Sequence, residues 1–280
     1  MASVVGRIRE IKQPWGGYIR PSEFDTTIFD DSVILNEKEN VHSSIIGLSV
    51  DYLTRFLMGA DVTDAFKISL LGAEIAEDEF KVKNSIKTAS KFAKKIKGID
   101  KKSVINACKL TTFDVWYRNV FAAMKSKGYK DTNPDKATIE NIQTFVRRSI
   151  TFFEKYGPVT KDCFTFEPIN PNKDDYYEML ISNNGSFGGY TATVSQGDGD
   201  FLTSDTLWDF KVSKLKPTNK NTLQLLMYWI MGQHSGQEIY KKITKLGIFN
   251  PRLNVVYLLD IKKIPKDIIE TVEKEVICYK

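Results

Sequence analysis

Three side chains that could do phosphate chemistry lie within one short stretch of the chain. Asp200 comes first, and Asp209 and Lys211 follow on either side of one intervening residue. If residues 206–213 form a strand, Asp209 and Lys211 share one face, because side chains alternate along a strand. The turn-forming pair Ser204-Asp205 can fold Asp200 back alongside Asp209 in a hairpin. The spacing therefore predicts two carboxylates beside one ammonium.

Such a group is suited to hydrolysis of a phosphodiester bond. Two carboxylates can hold Mg²⁺ or Mn²⁺, which neutralises the scissile phosphate and lowers the pKa of a bound water. A neighbouring lysine can orient that water or stabilise the charge that develops on phosphorus. Gly197 and Gly199 would let a phosphate approach the main chain before Asp200 closely. Each feature alone is common in strands and polar turns, so the hypothesis depends on their coincidence.

A further polar pair follows in an otherwise apolar segment. Gln224 and Tyr228 are one helical turn apart in a predicted helix, 220–232, that is apolar at nearly every other position. A buried amide and hydroxyl need hydrogen-bond partners. They either satisfy each other within the core or face the polar group described above.

These segments together resemble a known family. The chain contains, in order, Gly199-Asp200, Asp209-Phe210-Lys211 and Gln224-Leu225-Leu226-Met227-Tyr228. This series resembles the motifs of RecB-family nucleases in the PD-(D/E)xK superfamily over roughly residues 188–260. The resemblance implies that Asp200 and Asp209 bind the metal with the Phe210 carbonyl. It also implies that Lys211 is the catalytic lysine, and that Gln224 and Tyr228 position the lysine or the nucleic-acid backbone.

The family also has an upstream Gly-x-x-x-His helix whose histidine joins the metal site. Here Gly47 and Asp51 fit that frame, with aspartate in place of histidine. The resemblance makes Asp51 a third metal ligand and Arg55 a phosphate contact, and aspartate favours harder ions such as Mg²⁺. The alternative is a surface ion pair between Asp51 and Arg55, which are spaced i, i+4.

Further phosphate contacts are expected near the end of the catalytic strand. Lys214 and Lys220 follow it, and Arg252 ends a later strand. Solvated loop lysines are an equally good interpretation of the first two. Lysines also crowd residues 81–102, where Lys87, Lys91 and Lys95 repeat at helical spacing and predict either a solvated helix face or a nucleic-acid contact.

Composition limits the kind of metal site and the compartment. Three cysteines lie far apart and only two histidines are present, which argues against a zinc or iron–sulfur centre and favours carboxylate ligands. No apolar run is long enough to cross a bilayer, and no secretory signal is recognisable, so a cytoplasmic location without membrane contact is expected. No GxxxxGK[ST] phosphate loop occurs, so processive action on duplex DNA would need a helicase partner or a ring-shaped homo-oligomer.

The surrounding elements follow from periodicity and breakers. A first-motif helix over 36–59 is expected to begin at a capping box, with Asn36 as N-cap and Glu39 as its acid, and to end at Gly59. The first 35 residues look irregular or β-rich. Further helices are expected at 62–77, 84–97, 101–127, 136–155 and 265–277, and strands at 188–196, 199–203, 206–213, 244–250 and 253–260.

These elements predict an α/β fold. The resemblance implies a single nuclease domain over 1–280, with a PD-(D/E)xK restriction-endonuclease-like core in which helices flank a central mixed sheet. Residues 60–160 would be a large helical insertion and 161–280 the catalytic αβ core. The expected function is metal-dependent hydrolysis of DNA, as an exonuclease of repair, recombination, phage or defence. An RNA-directed nuclease and a nucleic-acid-binding module without turnover are the alternatives.

Overall fold

The chain divides into two compact units in a computed structural model that describes residues 2–166 and 188–280. The sheet unit contains residues 2–29 and the described residues from Phe153 to Lys280, and the helical unit contains Asp30–Phe152. The predicted αβ core, 161–280, includes residues 167–187, which lie outside the described part of the chain.

A mixed sheet forms the centre of the sheet unit. In the described residues its seven strands follow the order β1-β4-β5-β6-β7-β2, and β3 pairs with β4 outside this path. The pairs β1–β4 and β5–β6 are parallel, and the other pairs are antiparallel. The strands are β1 (Ala2–Ser3), β2 (Asp25–Ile28), β3 (Lys161–Phe166), β4 (Val194–Leu202), β5 (Thr206–Phe210), β6 (Lys245–Asn250) and β7 (Val255–Asp260). The predicted α/β class with a mixed sheet is confirmed.

One long helix, α10 (Asn219–His234), packs on one face of this sheet against β5 and β6. It begins at a capping box between Thr218 and Asn221. Most of its side chains are buried in a core shared with Leu202 of β4 and Leu207 of β5. The helix therefore holds the two strands that carry the acidic residues. The shorter helices of the unit are α1 (Val4–Glu10), α11 (Glu238–Lys241) and α12 (Lys266–Thr271), and a π-helical turn (Val272–Ile277) continues α12.

Aromatic rings cover the opposite face at β5. Trp208 stacks on Phe201, with ring centroids 6.3 Å apart, and meets Tyr156 edge to face at 5.3 Å. A Cβ on Gly247 would lie 2.3 Å from the Trp208 ring, so the strand beside β5 needs glycine there. Because both faces of β5 are covered, a polar residue on this strand is buried whichever way it points.

The helical unit is built around a polar junction. Asp114 accepts hydrogen bonds from Tyr52, at 2.6 Å, and from Ser69, and it pairs with Arg118. These contacts join α2 (Ser43–Leu57), α4 (Lys67–Asp78) and α7 (Asp114–Arg118). The helices that begin in this unit are α2 (Ser43–Leu57), α3 (Val62–Ala65), α4 (Lys67–Asp78), α5 (Ser85–Ala93), α6 (Lys101–Leu110), α7 (Asp114–Arg118), α8 (Val120–Ala123) and α9 (Lys136–Tyr156).

The predicted start of the first-motif helix is wrong. Helix α2 begins at Ser43 with His42 as its cap, not at Asn36. The Asn36 N–H donates to Asn141 Oδ1 at 2.9 Å, and the Asn141 amide donates back to the Asn36 carbonyl and to Glu39. These long-range bonds use the groups that a capping box would need. The predicted end is close, since α2 ends at Leu57 and Gly59 has a φ of +105°.

Other boundaries differ for local reasons. The predicted strands 188–196 and 199–203 are one strand, β4, because Gly197 and Gly199 pair with β3 instead of forming a turn. The predicted strand 206–213 ends at Phe210. The predicted helix 101–127 is interrupted by a 3₁₀ turn at 111–113 and by the extended residue Asn119. Helix α1 in the predicted irregular N-terminal region was missed.

Candidate active site

The β4–β5 hairpin brings Asp200 to the end of β5. Phe201 pairs with Trp208 and Leu202 with Leu207, so one further step of this register places Asp200 opposite Asp209. Next to this position the Asp200 side chain itself accepts a hydrogen bond from β5, since the Phe210 N–H donates to Asp200 Oδ2 at 2.5 Å. The predicted approach of Asp200 to the Asp209-Phe210-Lys211 segment is confirmed.

Asp209 on β5 forms an ion pair with Lys211, the first residue after this strand. Lys211 Nζ lies 2.7 Å from Asp209 Oδ1. Asp209 is only 3% exposed, whereas a third of the Lys211 side chain is exposed. Burial alone would lower the pKa of the Lys211 ammonium, but the carboxylates of Asp209 and Asp200 outweigh burial and raise this pKa. Lys211 is therefore a cation at neutral pH.

The second oxygen of the Asp209 carboxylate is the unusual atom of the site. Asp209 Oδ2 is buried and has no hydrogen-bond partner among the residues that the structure describes. Buried polar atoms are normally satisfied, so such an atom suggests a missing partner. A cation is the natural partner of a carboxylate oxygen.

The surrounding donors fit magnesium. Asp200 falls opposite Asp209 when the β4–β5 register is extended by one step, and both carboxylates act on the Lys211 ammonium. The Phe210 carbonyl belongs to the residue between Asp209 and Lys211. Mg²⁺ is commonly held by one or two carboxylates and completes its octahedron with water or substrate oxygens. Within residues 2–166 and 188–280, no cluster of three or more His, Cys, Asp or Glu side chains is arranged to hold a metal ion. A two-carboxylate site does not require one.

Gln224 and Tyr228 support β4 two residues before Asp200. Gln224 Nε2 donates to the Tyr228 hydroxyl at 2.9 Å, and this hydroxyl donates to the main-chain carbonyl of Asp198. Burial, followed by the nearby carboxylates, raises the pKa of Tyr228, so the phenol stays protonated. The predicted pair is therefore together, and its observed contact is with the strand that carries Asp200.

The glycines before Asp200 serve packing, which differs from the expectation of a phosphate approach. A Cβ on Gly199 would lie 1.9 Å from the Phe164 ring of β3. A Cβ on Gly197 would lie 3.2 Å from the Tyr228 ring. Both glycines therefore let aromatic rings lie directly on β4. Cys163, which falls opposite Asp200 in the β3–β4 register, has a φ of 51°, so the strand pair is irregular beside the acid.

The predicted phosphate contacts differ in exposure. Lys214 and Lys220 are exposed, as a role in binding a strand requires. Arg252 is 7% exposed, and this burial weighs against a direct phosphate contact. All three roles stay predictions.

Sequence reasoning missed Asn250 as a positioning residue. Its Nδ2 donates to the Ser213 carbonyl at 2.8 Å, and its Oδ1 accepts from the Arg252 N–H at 3.0 Å. The Lys211 N–H also donates to Phe249 at 2.9 Å. The end of β6 therefore holds the chain that leaves Lys211. The Asn-Pro pair at a strand end was the available signal.

Asp51 and Arg55 lie on α2 in the helical unit. Arg55 Nε donates to Asp51 Oδ1 at 2.9 Å, which is the i, i+4 pair of the alternative interpretation. Gly47 is open, since nothing lies within 4 Å of a Cβ built there. The metal role of Asp51 and the phosphate role of Arg55 stay predictions.

Comparisons of the chain with protein-family models, with curated proteins and with solved structures returned no match. In the two described stretches of the chain, no helix combines the length and the apolar character needed to cross a bilayer.

Proposed function

We propose that the protein is a metal-dependent nuclease of the PD-(D/E)xK type, similar to RecB-family nucleases, that hydrolyses DNA phosphodiester bonds. The single observation that carries the proposal is the buried Oδ2 of Asp209, which has no hydrogen-bond partner in the described part of the chain and lies next to an ammonium and a second carboxylate. A purely structural ion pair has no need of a second acid directed at the same place. A hydrolytic site that neutralises a phosphate does need it.

Each residue of the site has a role that follows from its contacts. Asp200, Asp209 and the Phe210 carbonyl would hold Mg²⁺ or Mn²⁺, which when bound lowers the pKa of a water and neutralises phosphate charge. Because the pKa of Lys211 is raised, its ammonium donates a hydrogen bond and does not remove a proton. It can therefore orient the attacking water or stabilise the charged phosphate oxygens.

Gln224 and Tyr228 act on the geometry of the acid. Their hydrogen bonds end at the carbonyl of Asp198, two residues before Asp200. The phenol remains protonated and is not a base. These two residues are positioning residues that keep Asp200 directed at the end of β5.

The proposal is tested by cleavage with a matched control pair. Purified full-length protein is incubated with linear, circular and single-stranded DNA and with RNA, in Mg²⁺, in Mn²⁺ or in EDTA. Asp209→Ala and Lys211→Ala should each abolish cleavage while circular dichroism shows a folded protein. The control Asp205→Ala should cleave normally. Asp205 lies in the turn between β4 and β5, where its carboxylate pairs with Lys245 at 2.8 Å, and it is not part of the site.

Two results would overturn the proposal. Retained cleavage in Asp209→Ala or Lys211→Ala, with a contaminating nuclease excluded, would show that the site is not catalytic. A wild-type protein that binds DNA but cleaves no substrate in either metal would favour the nucleic-acid-binding module. Cleavage of RNA alone would assign the same chemistry to the RNA-directed nuclease.

A further inference from the structure

The helical unit contains a cavity of its own. It has a volume of about 450 Å³, within the range of about 300–1,000 Å³ that is typical of small-molecule sites. Its apolar walls are Ile45 and Leu48 of α2 and Val115 of α7. These three side chains are half-buried, so they are partly accessible from the cavity.

The charged groups around this cavity are mainly cationic. Arg118 and Lys127 line it, together with His42. The acid among the lining residues is Asp114, which is 1% exposed and already occupied by Tyr52, Ser69 and Arg118. Half of the Arg118 side chain remains exposed, so an anion in solvent can reach it, although its Nε pairs with Asp114 and its Nη2 donates to the Tyr52 hydroxyl.

The segment 115–130, which contributes Val115, Arg118, Ser126 and Lys127 to the cavity lining, combines exposed aromatic rings with positive charge. Tyr117 and Phe121 are 50% and 82% exposed, which is unusual for large apolar side chains so close together in sequence. Every charged residue from 115 to 130 is a cation: Arg118, Lys125, Lys127 and Lys130. Exposed rings interleaved with cations are typical of surfaces that bind single-stranded nucleic acid.

We propose that this cavity binds one unpaired nucleotide, with the base between Ile45, Leu48 and Val115 and the phosphate at Arg118 and Lys127. Neighbouring nucleotides of a strand would stack on Tyr117 and Phe121. The pocket chemistry is independent of catalysis, but the choice of a DNA strand as the source rests on the proposed nuclease function. A free mononucleotide has the same chemistry and is the other source.

The test measures binding without cleavage. Fluorescence anisotropy of a labelled fifteen-nucleotide oligo-dT is recorded in EDTA with the full-length protein. Lys127→Glu reverses an exposed charge at the cavity, and Ile45→Trp fills the cavity; each should weaken binding roughly tenfold or more at low salt. Lys67→Glu, an exposed charge reversal in the same unit that neither lines the cavity nor belongs to the lysine-rich segment 81–102, should change affinity only about twofold.

Direct titration with AMP separates the two sources. An affinity for AMP as high as for the oligonucleotide identifies a free nucleotide, and a much lower affinity identifies a strand. Equal weakening by Lys67→Glu and Lys127→Glu would overturn the proposal, because binding would then follow overall charge. Unchanged binding in Lys127→Glu would overturn it even if Ile45→Trp fails to fold.

Self-association is the competing explanation of the exposed rings. If Phe121→Ser converts a dimer to a monomer in size-exclusion chromatography without weakening oligonucleotide binding, the surface is an interface between copies and the inference fails. A protein that cleaves DNA but binds it independently of the cavity loses only this inference. A protein that binds through the cavity and never cleaves loses only the proposed nuclease function.

Discussion

Removal of the Lys211 ammonium tests the charge balance of the site through stability alone. In Lys211→Met the aliphatic part of the side chain is retained, whereas the cation 2.7 Å from Asp209 Oδ1 is lost. The Asp209 carboxylate is 3% exposed, so water cannot replace the ammonium. Its Oδ2 already has no partner in the described residues, which leaves the variant with an uncompensated buried charge.

The expected cost is large for one substitution. Breaking a buried ion pair by removing one partner typically costs about 3–5 kcal/mol. Because a third of the Lys211 side chain is exposed, we expect about 3 kcal/mol, at the lower end of this range. Asp209→Asn together with Lys211→Met removes the buried charge as well, so the double variant should recover about 2 kcal/mol of the loss.

The assay is urea unfolding followed by tryptophan fluorescence. Trp15, Trp208 and Trp229 lie in the sheet unit, so the signal reports mainly on the unit that contains the site. Lys245→Met is the matched control. Its partner Asp205 is 41% exposed, and the loss should stay below about 1 kcal/mol.

Magnesium should reverse part of the loss. A cation bound at Asp209 and Asp200 would replace the missing ammonium, and a ligand at 100 times its Kd stabilises by about 2.7 kcal/mol. Lys211→Met should therefore gain more from Mg²⁺ than the wild type does, even though it does not cleave. A variant as stable as the wild type in EDTA, or one that is indifferent to Mg²⁺, would refute the reasoning.

Three further predictions concern residues of the same site and of its support. The folded-state pKa of Lys211 is raised, so its ion pair stabilises the fold fully below the ordinary lysine pKa of about 10.4. This stabilisation is lost as the pH rises through the raised pKa. In urea unfolding at increasing alkaline pH, the difference in unfolding free energy between wild type and Lys211→Met should therefore become smaller. Gly199→Ala should lower the free energy of unfolding by about 1–3 kcal/mol and reduce cleavage, because its Cβ would overlap the Phe164 ring. The control Gly98→Ala places its Cβ where nothing lies within 4 Å, so it should melt like the wild type. Tyr228→Phe removes a hydroxyl that both donates and accepts in a buried chain of hydrogen bonds. It should lower the free energy of urea unfolding by about 1–3 kcal/mol, and it should lower kcat more than it raises KM.

Local patterns predicted the β4–β5 hairpin well. The turn-forming Ser204-Asp205 pair and the alternation around Asp209 are local signals, and the structure confirms both in the β4–β5 register. The helix that carries Gln224 and Tyr228 also lies where its continuous apolar pattern predicts. The hairpin joins residues close in sequence, and the helix shows its apolar character within its own segment, so a local window contains both signals.

Long-range contacts decided what local patterns could not. Asn36 looked like a helix cap, but Asn141, far along the chain, uses its hydrogen-bonding groups. Gly197 and Gly199 looked like a turn or a phosphate approach, yet they are strand residues on which rings from β3 and α10 lie. In both cases the partner that determines the conformation is absent from the local window.

The sequence alone determined which groups are available: two acids, a lysine, and a glutamine with a tyrosine one helical turn later. Only the tertiary structure decided that Asp209 is buried on a strand covered on both faces, with one oxygen paired and the other without a described partner. The reason is physical. Residue types set the possible charges and hydrogen bonds, whereas burial and electrostatic balance depend on rings and helices that the fold brings from distant parts of the chain.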